Sequence, residues 1–283
     1  MNTPSIIKAL ACSAGLKLVS PAKLTGVDGK KVGKHTGNAL EFAEYRDYQP
    51  GDDIRRLDWG VFARQEQLMV RQFNEEVDPR CDIILDCSAS MAFPSSKGDA
   101  AMGLAALLAL AASNAAFTLA LWQAKEEWRT VEKPELPLEW QTIELDSPLS
   151  PGETIDAFTG RFKPRGIRIV ISDFLWPLPP ANFLKRIQEG AQKTWLLRLD
   201  YPLQLTADNL GAVTITDAET GEQKECVLDE SLVEKYNQRR NNHLEQWSHE
   251  AERLGVELLD IPQAELEKNL ASGYLVKHNL LSC

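Results

Sequence analysis

The sequence has little of the residue types that build disulfide frameworks, zinc sites and histidine-based catalysis. Its five cysteines, Cys12, Cys81, Cys87, Cys226 and Cys283, are odd in number and widely spaced, and no C-x-x-C occurs. That pattern argues against a disulfide scaffold or a structural zinc and fits a reducing compartment. Four histidines are present, His35, His243, His249 and His278, and none ends a buried-strand pattern. There is no G-x-S-x-G elbow, so a serine hydrolase lacks both its base and its turn. His243 and His249 are six residues apart, do not share a helix face and make a poor metal pair. Positive charge is also short: 31 Lys and Arg face 41 Asp and Glu, a formal net charge of -10. A nucleic-acid binder would show the opposite balance.

Neither a secretory leader nor a membrane span is expected. MNTPSIIKALACSAGLKL carries one lysine before a short apolar stretch and reads as an amphipathic helix over residues 4–18. Residues 100–124 contain no charge and are long enough to cross a bilayer. They are mostly alanine, however, and are broken at Ser113-Asn114, after which AAFTLALW turns β-like. This is the pattern of a buried helix followed by a buried strand. GKKVGKHTG is not a phosphate loop: Asp28 stands where the motif's first glycine would precede Gly33-Lys34, and His35 stands where Ser or Thr would hold Mg²⁺.

What remains is an ordinary globular balance, 43% hydrophobic and 25% charged, over a length that suits one large α/β domain plus an appendage. Residues 1–79 hold the first helix, a Gly/Lys-rich loop (TGVDGKKVGKHTGN), and a charged and aromatic block whose end, LMVRQFNEE, alternates like a strand. From residue 80 strands and helices alternate. CDIILD, FTLALWQ, IRIVISD, KTWLLRLD and VELLDIP read as strands, with WRTV as an edge strand. GDAAMGLAALLALAASN, PPANFLKRIQEG and SLVEKYNQRRNNHLEQWSHEAERLG read as helices, and GETIDAFTGRF starts another. EKPELPLEWQTIELDSPLSP is Pro-rich and irregular, and AVTITDAETGEQKECVL is a β-hairpin inserted in the series. The expected fold is α/β, a mainly parallel sheet flanked by helices. The expected organisation is an N-terminal segment 1–79, a sheet domain 80–262, and a C-terminal helix and tail 263–283.

In such sheets ligands bind at the carboxyl ends of the strands. Asp86 and Asp173 each end a buried strand there. In DCSAS, Asp86, Ser88 and Ser90 alternate by two, so an extended loop points all three side chains one way. Three oxygen-bearing groups so placed suit a hard-metal site, a nucleophile pocket or only a turn. Their oxygens match Mg²⁺ or Mn²⁺ and not zinc. Thr154 in PGETIDAF and Asp173 in VISDF could add a hydroxyl and a second carboxylate. An aspartyl nucleophile of the haloacid-dehalogenase type wants an acid two residues on, where Ser88 stands instead.

DCSAS, then GET, then ISD resembles the metal-ion-dependent adhesion site of von Willebrand factor A domains. The resemblance implies a Rossmann-type sheet and one divalent cation, Mg²⁺ or else Mn²⁺ or Ca²⁺, held by Asp86, Ser88, Ser90, Thr154 and Asp173. A partner's acidic side chain would complete the coordination. The block EFAEYRDYQPGDDIRRLDWGVFARQEQLMVRQFNEE, followed by this strand, resembles the bacterial family called domain of unknown function 58. That resemblance implies a von Willebrand A-like domain with an N-terminal extension, and a MoxR-type AAA ATPase as partner. The expected function is a non-enzymatic, metal-dependent, cytoplasmic adaptor that brings an unidentified client protein to the ATPase. A metal-independent scaffold binding through residues 41–76 and a Mg²⁺-dependent phosphatase are the alternatives. Within the block, Tyr45, Arg46, Asp52, Asp53, Arg55, Arg56, Asp58 and Trp59 mix rings with both charge signs. Arg forks pair with carboxylates in two-point geometry, so the set reads as an internal salt-bridge network or as a docking surface.

Overall fold

The computed structural model describes residues 4–20, 40–75, 79–140, 143–160, 162, 164–201 and 210–283. The Gly/Lys-rich loop read from the sequence lies outside them. In chain order the elements are α1 (Pro4–Cys12), β1 (Lys17–Leu18), β2 (Leu40–Asp47), α2 (Trp59–Gln65) and β3 (Met69–Glu75). Next come β4 (Arg80–Asp86), α3 (Ser95–Asn114), β5 (Thr118–Ala124), β6 (Arg129–Thr130), α4 (Pro151–Thr154) and β7 (Ile167–Ser172). The remainder are α5 (Pro180–Gln188), β8 (Lys193–Asp200), β9 (Gly211–Thr216), β10 (Gln223–Leu228) and α6 (Glu230–Leu254), then β11 (Glu257–Pro262), α7 (Gln263–Asn269), α8 (Ser272–Lys277) and β12 (Leu281–Ser282).

The chain divides into two compact units, one of residues 1–20 with 79–283 and one of residues 21–78. The first helix thus groups with the sheet and not with the segment that follows it. It is also shorter than the sequence reading, because Ser13–Gly15 turn the chain into β1, which pairs with β12 near the other end.

The sheet has six strands in the order β11-β8-β7-β4-β5-β6, all parallel except the edge strand β6. Side chains alternate between its two faces, and both faces are covered. Ile83, Leu85, Ile169, Ile171, Leu197 and Leu199 share one core with α3. Ile84, Val170 and Leu196 share the other with Phe183, Leu184 and Trp247 of α5 and α6. Burial on both sides explains why these strands read as unbroken apolar runs. The charge-free stretch resolves into a buried helix ending at Asn114 and a strand beginning at Thr118. Among the described residues no helix is long and apolar enough to cross a membrane. Gly103 lets α1 lie against α3, since a Cβ there would come within 2.7 Å of Ser5 Cβ and 2.8 Å of Leu270 Cδ2.

The chain runs from β4 outward to β5, then returns to the other side of β4 for β7. The carboxyl ends of β4 and β7 therefore flank the point where strand order reverses, which is where such sheets open a crevice. Asp86 closes β4 and Asp173 follows β7 directly.

The hairpin of β9 and β10 pairs only with itself in sheet terms. Residues 263–283, expected as one helix and a tail, form α7, α8 and β12 instead. Leu270 and Ala271 between the helices adopt positive φ, which ends the first helix. In the second unit β2 and β3 pair antiparallel with an irregularity between Phe42 and Glu44. The sequence reading took β2 only as a charged block, because its residues LEFAEYRD do not alternate cleanly.

Candidate functional site at the sheet rim

Asp86 is fully buried, and its carboxylate is enclosed by donors. Oδ1 accepts from the Ser88 backbone N–H at 2.9 Å and the Ser88 hydroxyl at 2.7 Å. Oδ2 accepts from the Ser172 hydroxyl at 2.6 Å and the Trp176 indole N–H at 3.0 Å. Burial pushes its carboxyl up to about 6, the negative charge of Asp173 adds to the rise, and the Ser172 and Ser88 hydrogen bonds hold it down. The loop beyond is fixed from outside: Ala89 N–H donates to Ser147 O at 2.8 Å and Ser147 N–H to Cys87 O at 2.9 Å. Ser88 Oγ lies 3.3 Å from Ser90 Oγ, so the three alternating residues form one hydrogen-bonded run.

Thr154 reaches this region through a capping box. The Ser150 hydroxyl and N–H both donate to Glu153 Oε2 at 2.8 Å, which starts α4. Gly152 packs against Trp176, where a Cβ would sit 2.8 Å from ring carbon Cε3. The buried Thr154 hydroxyl donates to Ser150 O at 3.2 Å and accepts from the Trp128 indole N–H at 2.8 Å. Trp128 in turn packs against Phe158 at 4.8 Å between ring centroids.

Asp173 is 6% exposed, and its partner is Lys97, which is 5% exposed. Lys97 Nζ lies 2.8 Å from Asp173 Oδ2, while Oδ1 accepts from Leu175 N–H at 3.1 Å. Lys97 stands in the first turn of α3, the helix that follows the DCSAS loop.

One more group reaches the rim. Glu219, from the turn of the β9–β10 hairpin, accepts the Ser90 backbone N–H on Oε1 at 3.2 Å. The turn is held by Asp217, whose Oδ1 accepts from Glu219 N–H at 3.0 Å, Thr220 N–H at 2.7 Å and the Thr220 hydroxyl at 2.9 Å. Ala218 and Glu219 are half-buried, whereas Thr214, Ile215, Thr216 and Asp217 are exposed.

All five residues expected at a metal site therefore stand at or beside this rim, and their hard oxygens have the chemistry a Mg²⁺ ion needs. Their arrangement does not fit one. The Asp86 carboxylate is enclosed by donors, and an ammonium is seated against Asp173, the second carboxylate of the set. Sequence reading missed Lys97, Ser172, Trp128, Trp176 and Glu219. Lys97 looked like any lysine before a helix; the sole hint was that nothing basic follows it until Lys125.

The second set of residues, 45–59, forms a network of its own. Tyr45 donates its hydroxyl to Asp58 Oδ2 at 2.7 Å, and Arg46 pairs with Asp52 at 2.9 Å. Asp52 also accepts Gln49 N–H at 2.8 Å, and these two bonds hold its carboxyl below the usual range. Asp53 accepts Arg55 N–H at 3.0 Å and caps a short 3-10 turn, while Asp58 caps α2 through Gly60 N–H at 2.8 Å and Val61 N–H at 3.2 Å. Arg55 is exposed, and Trp59 is 59% exposed with its ring edge-on to Phe62. The Arg56 side chain lies outside the described residues.

The family model described as "Protein of unknown function DUF58" matches residues 44–246, from β2 into α6. Uncharacterised proteins of Mycobacterium tuberculosis and Mycobacterium bovis are 29% identical over 248 residues, covering 81% of this chain and 77% of theirs. A solved structure of an aerotolerance-related membrane protein from Bacteroides fragilis aligns at a TM-score of 0.35 and 14% identity, over 68% of this chain and 98% of that one.

Proposed function

We propose, from the premise that this chain belongs to the DUF58 family, that it is a non-enzymatic protein-binding module with a von Willebrand A-like sheet. Its rim takes a carboxylate from a partner protein. One observation carries the reading: a carboxylate, that of Glu219, already rests on the Ser90 N–H beside the DCSAS loop. In this reading the hairpin turn is an internal occupant that an external Asp or Glu displaces. The enclosure of Asp86 supports a binding role over catalysis. A carboxylate with no exposed surface and hydrogen bonds on both oxygens is poorly placed to attack a phosphate.

The partner we propose is a MoxR-type AAA ATPase, to which this cytoplasmic chain delivers a client. The test is binding of the purified chain to that ATPase. Glu219→Ala should tighten the complex by clearing the rim, and Asp86→Ala should weaken it by collapsing the loop. If neither variant changes affinity, the rim is not the interface. Loss on substituting Arg55 and Arg56 would then favour the scaffold reading through residues 41–76. Turnover of a phosphate ester that disappears in Asp86→Asn would favour the phosphatase.

A further inference from the structure

We propose that Lys97 is the resident cation of the rim, a tethered ammonium on Asp173, and that the site binds no divalent metal while Lys97 is there. The placement of Lys97 is unfavourable on two counts unless it has a purpose. A lysine buried to 5% exposure must be paired. A positive charge in a helix's first turn also faces the positive end of the helix dipole. The 2.8 Å bond to Asp173 answers both, and it joins two side chains that are each 7% exposed. The ammonium neutralises the buried charge of Asp173.

Mg²⁺ demands about six oxygens in near-octahedral array at roughly 2.0–2.1 Å. The Ser88 and Thr154 hydroxyls donate their protons to Asp86 and Ser150 O and keep lone pairs, so the obstacle is Asp173, which would have to strand a buried ammonium to serve a metal. The bond between Asp173 and Lys97 is buried and charged, and its loss leaves an unpaired buried ammonium, at about 3–5 kcal/mol. The pattern D-x-S-x-S is thus kept as a hydrogen-bonded loop, while the charge comes from the protein itself. This inference goes beyond the protein-binding reading and does not depend on it, because metal binding is measured without any partner.

The experiment is Mn²⁺ binding, followed by electron paramagnetic resonance of free Mn²⁺ and by thermal unfolding in chelator and then in rising Mn²⁺ or Mg²⁺. The full chain should take up no stoichiometric Mn²⁺ and show no metal-dependent shift. Lys97→Met, which keeps the aliphatic stem and uncovers Asp173, should gain one Mn²⁺ site. Its melting temperature should then rise by about 5–10 °C at a hundred times the dissociation constant. Adding Asp173→Asn to Lys97→Met should abolish that gain. Lys97→Gln, which still offers Asp173 a hydrogen bond, serves the same purpose if the methionine variant does not fold. Stoichiometric Mn²⁺ binding by the unmodified chain overturns the proposal. So does the absence of any gain in a folded Lys97 variant.

Discussion

Trp176 donates its indole N–H to Oδ2 of Asp86 at 3.0 Å, across the crevice between β4 and β7. The ring is itself buried among Phe174, Phe183 and Trp247, at centroid distances of 5.3, 4.7 and 5.2 Å. An apolar wall thus removes water from a carboxylate and gives back a single donor. That explains why Asp86 is raised to about 6 although it accepts several hydrogen bonds. Its unfolded value is near 3.8, so the native carboxyl holds its proton more tightly than the unfolded one.

The sign of the pH dependence follows. The contribution of Asp86 to stability is fully present below about pH 4 and is lost as pH rises through about 6, on the order of 3 kcal/mol in all. Urea unfolding at pH 5 and pH 8 should show the native chain losing more stability across that interval than Asp86→Asn. The asparagine variant should be less stable at both pH values, since its amide N–H₂ faces a donor. Equal pH slopes in the two chains would mean that Asp86 does not carry the linkage.

The Thr154 hydroxyl, a candidate metal ligand by sequence, joins Ser150 O to the Trp128 indole N–H. Thr154→Val keeps the shape and leaves the Trp128 N–H without its acceptor, so it should cost about 1–3 kcal/mol. Thr154→Ser keeps the hydroxyl and should cost well under half of that. Denaturant midpoints of the two variants decide the matter. A valine variant as stable as the native chain would show that the Trp128 bond contributes nothing.

The fold was legible because β4, β7 and β8 are buried on both faces, which leaves unbroken apolar runs such as CDIILD and IRIVIS. Glycine or a cap marks several helix ends, as Gly255 does in the left-handed conformation after α6. The rim was legible for the same reason, since an aspartate that closes such a run lies at the carboxyl end of a buried strand. The partners of that aspartate were not legible. Lys97, Trp128, Trp176 and Glu219 reach the rim from segments whose local sequence serves other ends: a helix start, an aromatic cluster, a loop and a hairpin turn. Their meaning arises only from the sheet order that brings these segments to one crevice. The pattern D-x-S-x-S read alone therefore points to a metal, while its surroundings supply a lysine.

The cysteines give an independent check on burial. Cys81 and Cys87 are 1% and 0% exposed, and burial together with the neighbouring charges of Asp82 and Asp86 raises both thiols well above their usual range. A thiol kept protonated and out of reach does not alkylate. In the native chain Cys283 should react first, Cys12 and Cys226 more slowly, and Cys81 and Cys87 only after unfolding. Mass spectrometry of alkylated peptides reads this directly. Modification of Cys87 at the rate of Cys283 would show that the DCSAS loop opens freely.

The block at 45–59 divides into residues that hold the second unit together and residues that face outward, and substitution should separate them. Asp58 is 5% exposed and joins three parts of the unit. Its side chain caps α2 through Gly60 and Val61 and accepts the Tyr45 hydroxyl from β2, and its own N–H donates to Met69 O of β3 at 2.9 Å. Asp58→Ala removes a helix cap, worth about 1 kcal/mol, and strips a buried acceptor from Tyr45, so the loss should reach about 2 kcal/mol. Because the unit is small, that loss should appear as faster amide exchange in α2, β2 and β3, with exchange in β4, β7 and β8 unchanged. Trp59→Ala, by contrast, removes a ring that is 59% exposed and should leave exchange and stability within about 0.5 kcal/mol of the native chain. If the scaffold reading holds, Trp59→Ala weakens binding to the proposed ATPase partner while the unit stays folded. If the rim reading holds, affinity is unchanged, and the tryptophan is no more than an exposed ring edge-on to Phe62.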